Sequence, residues 1–171
     1  MYALRLRSFN ALEQELRLSR RWEAWVGTRK PSADTIGRVF ASMSADEIRQ
    51  ILSAVLHDAW RSKAIHPRPG ESYRVVAVDG HEIGASRARC CPQCLVREKK
   101  KATGTEIEYY HRVVVAQWIG VTPPAILDLE LIGPAEGEVT AARRLLERIL
   151  RQHARLIDVI SADALYLEAP F

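Results

Sequence analysis

Two aspartates, Asp79 and Asp163, stand where a chain of this kind could do chemistry. Each closes a short β-branched apolar stretch, RVVAV before Asp79 and IDVISA before Asp163. Such stretches read as strands buried on both faces. A carboxylate at the C-terminal end of a buried strand leaves the dry core and projects into the crevice where open α/β sheets bind their ligands. If the two strands are neighbours, the carboxylates converge although they lie 84 positions apart in sequence. A converging pair with no lysine beside it suits a hard cation such as Mg²⁺ or Mn²⁺, which binds through carboxylate and phosphate oxygens. Taken singly, each aspartate would only cap a strand end or the turn that follows.

A second group of reactive residues is Cys90-Cys91-Pro92-Gln93-Cys94. The spacing Cys91-x-x-Cys94 can hold Zn²⁺ by two thiolates from one turn, and a structural zinc takes four ligands. Cys90 could supply a third, and His111 or His81 a fourth. Free reduced thiols are the equal alternative. A redox pair is the weaker one, because the motif lies in a basic stretch rather than at a helix start beside a strand. That stretch holds Arg87, Arg89, Arg97, Lys99, Lys100 and Lys101 against Glu98 alone, a larger excess than the +4 of the whole chain. Cations that grip a phosphate backbone beside acids that hold a metal are what a phosphodiester enzyme needs. Without the aspartates nearby, a solvated loop would be the simpler reading.

The elements that must position these residues follow from periodicity. Residues 109–119 (YYHRVVVAQWI) read as a strand, and 120–124 as a Pro-rich turn. Residues 125–132 (AILDLELI) alternate, with Ala125, Leu127, Leu129 and Leu131 on one face and Asp128 and Glu130 on the other. From 138 to 153 the period is helical: Val139, Ala142, Leu145, Leu146, Ile149 and Leu150 form a stripe, with Arg143, Arg144, Arg148 and Arg151 around it. The order is strand, long basic Cys-containing loop (84–108), strand, strand, helix, strand, over residues 74–171. The short connection predicts an antiparallel hairpin, and the helical crossover predicts a last strand parallel to the first.

Residues 1–66 read as a small all-helical region. Residues 10–25 predict an amphipathic helix stopped by Gly27, and Pro31-Ser32 opens a second helix through Phe40. Ser44-Ala-Asp-Glu47 is a capping box for a third, whose Ile48, Ile51, Leu52, Val55 and Leu56 form a core-facing stripe. Arg17, Arg20, Arg21, Arg29 and Lys30 give this region some basic weight. A DNA-binding or dimer-forming module and a packing appendage both fit, since no recognition helix declares itself. Residues 67–73 read as a stiff Pro-rich linker.

Taken in order, VAVDGHEIGASR, CCPQC, EYYHRVVVAQ, PAEGEVTAARRLL and SADALY resemble the bacterial insertion-sequence transposases of the DDE type, which carry an associated N-terminal helical domain. The resemblance runs from about Ser32 to the last residue. It implies an α/β fold with a ribonuclease-H-like mixed sheet and phosphoryl transfer at the ends of double-stranded DNA. Two divalent ions, Mg²⁺ or Mn²⁺, would clamp the attacking and leaving oxygens, with Asp79 bridging both and Asp163 holding one. It further implies a homo-oligomer in the full-length form. The family's third acid, a glutamate, follows a further strand and inserted segment, so the expectation is a C-terminally truncated fragment that is inactive alone. Glu168 is too near Asp163 in sequence to replace it. Two other readings stand beside this one. A nuclease of the same fold would take its third acid from Glu136 or Glu138, and a non-catalytic remnant would bind DNA without cutting.

At 47% hydrophobic the chain can bury a core, yet it holds no apolar run of membrane-spanning length and no signal-peptide stretch at MYALRLRSFN. Three cysteines within five residues are not a disulfide framework. The expected compartment is the bacterial cytoplasm, on the nucleoid when bound to DNA.

Overall fold

The structure, a computed structural model, describes residues 8–88, 90–102 and 104–168, the side chains of Leu167 and Glu168 excepted. The chain divides into two compact units after Ile48.

In the first unit, α1 (Phe9–Leu18) is capped by the Ser8 hydroxyl, which accepts from the Ala11 N–H at 3.1 Å. The single helix expected over 10–25 stops at Leu18. Ser19 takes an extended conformation, and a 3₁₀ turn (Arg20–Trp22) and a short helix α2 (Glu23–Val26) follow. The break folds Arg21 and the Trp22 indole back onto the Glu15 carboxylate, at 2.5 and 3.1 Å. Helix α3 (Ala33–Ser42) is capped by Ser32, and the Phe9 and Phe40 rings stack at 5.6 Å. Helix α4 (Ala45–Arg61), which belongs to the second unit from Arg49 on, opens on the expected capping box: Glu47 N–H donates to Ser44 Oγ, and Ser44 N–H to Glu47 Oε2. Its apolar stripe is buried less than expected. Leu56 is buried and Leu52 partly so, whereas Ile48, Ile51 and Val55 are exposed.

The second unit holds β1 (His66–Pro67), β2 (Val75–Ser86), β3 (Leu95–Lys101), β4 (Gly104–Trp118), β5 (Val121–Thr122), β6 (Ala125–Ile132), α5 (Glu138–His153) and β7 (Val159–Ala162). It is a mixed α/β unit. The main sheet runs β3-β4-β2-β7, with β6 also paired to β4. Strand β4 is antiparallel to β2, β3 and β6, while β2 and β7 are parallel through the α5 crossover, as the spacing predicts. Val76, Val78, Val114, Ala116 and Trp118 meet Ala141, Ala142, Leu145 and Ile149 of α5 in one core. Each large side chain fully buried there contributes about 1.5–3 kcal/mol. Leu56, Ile65 and Trp60 belong to the same packing, with Trp60 against Trp118 at 4.8 Å. The compact unit therefore begins earlier than the expected boundary at 66. The expected linker is also pinned, since β1 pairs with β5 and the Arg68 N–H donates to Gly120 O.

Two local readings change. Most of the loop expected at 84–108 is strand: β2 runs on to Ser86, and β3 and β4 form a hairpin arm. Opposite charges facing across the arm favour that pairing, with Lys99 on Glu108 and Lys101 on Glu106 at 2.7 and 2.6 Å. On β6 the faces are exchanged. Ala116 pairs with Asp128 and Gln117 with Ile126, so Leu127 is an extra residue in the ladder. The bulge buries both Leu127 and Asp128, while Leu129 and Leu131 are exposed. Asp128 and Glu130 instead receive Arg148, Arg144 and Arg49. Among the described residues no helix is long and apolar enough to cross a membrane.

Candidate active site and metal centre

Strands β2 and β7 pair from Val75 with Val159 to Val78 with Ala162. Asp79 and Asp163 each follow the last paired position, but only Asp163 stands past a strand end: β2 runs on to Ser86 and pairs Asp79 with Val115 of β4, so the strand end expected at Asp79 is not found. The register is pinned at its start, where the Arg74 N–H and Nε donate to Asp158 Oδ2 at 2.7 and 2.8 Å, and Arg74 Nη2 meets Oδ1 at 2.5 Å. The Arg74 side-chain bond holds the Asp158 carboxyl down to about 2. Both site aspartates are exposed. Asp79 Oδ1 accepts from the Gly80 N–H at 2.8 Å, and Asp163 Oδ1 from the Leu165 N–H at 2.9 Å, which starts the final 3₁₀ turn (Ala164–Glu168). Each aspartate thus caps a local backbone group with one oxygen and keeps the second clear of any partner among the described residues. That all-oxygen donor pair fits a hard divalent cation completed by water and phosphate oxygens.

Glu138, in the first turn of α5, comes to the same place. Its Oε1 accepts from the Tyr166 hydroxyl at 2.7 Å and its Oε2 meets Arg112 at 2.5 Å. A Cβ added to Gly80 would lie 2.3 Å from Glu138 Oε2, so the glycine after Asp79 is what lets this carboxylate approach the strand. Burial, then the bond to Glu138, then the charges of Glu138, Asp163 and Asp79 push the Tyr166 phenol well above its ordinary range. Neither Tyr166 nor Arg112 stood out in the sequence; only the position of Tyr166 three residues after Asp163 hinted at it. The three carboxylates do not close into a set with all oxygens within 4.8 Å. Glu136, the other candidate on this helix, is spent on the turn. It accepts from the Gly133 N–H and pairs with Arg144, which holds its carboxyl down to about 2.

The basic residues are largely neutralised. Arg97 bridges Glu82 and Glu108, Lys99 pairs with Glu108, and Arg87 and Lys101 with Glu106. Lys100 has no ion-pair partner among the described residues, and Arg89 lies outside them. The acids that do this lie on β2 and β4, beyond the window in which only Glu98 opposed the cations.

The cysteine motif is more ordered than its spacing required. Cys91 Sγ and Cys94 Sγ lie 3.7 Å apart, and His111 Nε2 lies 3.5 and 3.4 Å from them. Cys94 N–H donates to Cys91 O at 3.0 Å and Cys91 N–H to Cys94 Sγ at 3.2 Å, closing a tight turn before β3. The latter bond favours the Cys94 thiolate, but burial and the neighbouring Cys91 and Cys90 outweigh it and push the thiol up. His111 arrives from β4, opposite Gly84, beside the register shift between Glu82 and Gly84. His81 pairs with Val113 and is outside the cluster. Comparison with family models, curated proteins and solved structures returned no match.

Proposed function

We propose that this chain is a phosphoryl-transfer domain acting on DNA, of the DDE transposase type with a ribonuclease-H-like sheet, and that Asp79 and Asp163 are its metal-holding pair. The single observation that carries the reading is the parallel β2–β7 register, whose last pair, Val78 with Ala162, immediately precedes the two aspartates. A divalent cation held there supplies charge neutralisation of the phosphate and activation of the attacking oxygen. The chain's own contributions are positional. Backbone N–H groups of Gly80 and Leu165 fix one oxygen of each aspartate. The Tyr166 hydroxyl and Arg112 hold Glu138 at the edge of the site.

A second reading, a nuclease of the same fold with Glu138 as third acid, is favoured by one specific observation, the approach of that carboxylate to Gly80. It requires Glu138 to leave Arg112 and Tyr166. The test is Mn²⁺ titration and incubation with duplex DNA for the wild type and three variants. Asp79→Asn and Asp163→Asn should each weaken Mn²⁺ binding at least about tenfold, one charged ligand being lost. Unchanged binding in both would refute the assignment. DNA cleavage by the wild type that Glu138→Gln abolishes selects the nuclease reading. Metal binding that survives Glu138→Gln, without cleavage by the wild type, rules out the nuclease reading.

A further inference from the structure

We propose that Cys91, Cys94 and His111 bind one Zn²⁺, that Cys90 is the fourth ligand, and that the ion clamps the turn before β3 onto β4. This stands apart from the phosphoryl-transfer reading and uses none of its residues.

The distances are those of a tetrahedron's edges. With zinc–sulfur bonds of about 2.3 Å and zinc–nitrogen bonds of about 2.0–2.1 Å, two sulfurs should sit about 3.8 Å apart and sulfur and nitrogen about 3.6 Å. The observed separations are 3.7 Å between the sulfurs and 3.5 and 3.4 Å from sulfur to nitrogen. A disulfide would need the sulfurs at about 2.05 Å, and the thiols are free. The donors come from two separate segments, the turn at 91–94 and the middle of β4, so no single local motif forces them together. Soft thiolates and an imidazole select zinc over the magnesium-like ions that suit the aspartates. Among the described residues this is the sole His, Cys, Asp or Glu set that comes within mutual ligand distance.

Cys90 is the natural fourth donor. It is exposed and lines the same open pocket as Cys91, Cys94 and His111, together with Ser86 and Tyr109. Its sulfur lies outside the converged set, so closing the shell requires movement at this exposed residue. The mechanical consequence follows from position. The turn holding the three cysteines precedes a strand whose outward face is charged and exposed, with little apolar core of its own. A metal there replaces the missing core with four bonds, and binding energy appears as local folding energy.

The experiment is titration of the full chain with Zn²⁺ and, as a spectroscopic stand-in, Co²⁺, under reducing conditions. One equivalent should bind and give the intense d–d bands of a tetrahedral ion with thiolate charge-transfer absorption. Cys94→Ser and His111→Ala should each weaken binding at least about a hundredfold, one of four ligands being lost. Cys90→Ser should weaken it about tenfold or more and cut the charge-transfer intensity by about a third, from three thiolates to two. Amide exchange at residues 91–101 should slow on metal addition in the wild type, a readout that does not depend on any variant folding. Binding well below one equivalent by reduced wild-type protein, or octahedral Co²⁺ spectra, overturns the site. An unchanged spectrum and affinity in Cys90→Ser overturns the fourth ligand, and unchanged exchange overturns the clamp.

Discussion

Replacing Arg148 by methionine tests how α5, the helix that delivers Glu138 and sets the β7 crossover, is fastened to the sheet. Arg148 Nε meets Asp128 Oδ2 at 2.5 Å, with side chains only 18% and 4% exposed, and its Nη1 reaches Glu130 Oε2 at 2.8 Å. After Arg148→Met, Asp128 keeps the Leu129 N–H at 2.7 Å and the more distant Arg49 at 3.5 Å. Breaking a buried pair from one side costs about 3–5 kcal/mol, and the surviving Arg49 argues for the lower end, about 3 kcal/mol. Asp128→Leu should be milder, about 1–2 kcal/mol, because Arg148 retains Glu130 and the Leu129 carbonyl at 3.2 Å. The double variant Arg148→Met/Asp128→Leu removes both buried charges and should be more stable than Arg148→Met alone. Urea unfolding followed by tryptophan fluorescence measures all three, with Trp60 and Trp118 in tilted contact in the core cluster that includes α5. A loss under about 1 kcal/mol in Arg148→Met would refute the reasoning, as would an Asp128→Leu variant less stable than Arg148→Met.

Two further outcomes follow from the site itself. Gly80→Ala should drive Glu138 from Arg112 and Tyr166, costing about 1–3 kcal/mol as an overpacked contact; the Tyr166 phenol should then titrate closer to its ordinary range, and an unmoved ultraviolet pH titration would count against the contact. The Asp158 carboxyl sits near 2, below its ordinary 3.8, so the stability that its pairing adds is complete above about pH 4 and lost as pH falls towards 2. Asp158→Asn lacks that contribution at neutral pH, so its urea midpoint should fall less between pH 4.5 and 2.5 than the wild type's. Equal falls would mean that Arg74 does not pin the β2–β7 register.

What the sequence determined by itself is the part governed by local rules. The capping box at Ser44 and Glu47 needs only four consecutive residues, and the β-branched apolar runs before Asp79 and Asp163 announce strands by composition, although β7 is exposed along its whole length rather than buried on both faces. The helical crossover then leaves the two strands little choice but parallel pairing, so the adjacency of β2 and β7 was legible. The faces of β6 were not, because strict alternation assumes an unbroken ladder and the bulge at Leu127 moves Asp128 inward. Nor could the basic stretch be judged from its own composition. Its counter-charges Glu82, Glu106 and Glu108 come from strands that only pairing brings alongside. Glu138 looked like a helix-start charge until α5 packed its first turn over Gly80, and Tyr166 had no visible role until the final turn carried it there. His111 could be proposed with the cysteines but not chosen over His81. That choice depended on the register of β4 against β2, where two positions' difference along the strand sends one imidazole to the thiols and leaves the other outside the cluster. Local chemistry names the residues that can react; long-range pairing decides which of them meet.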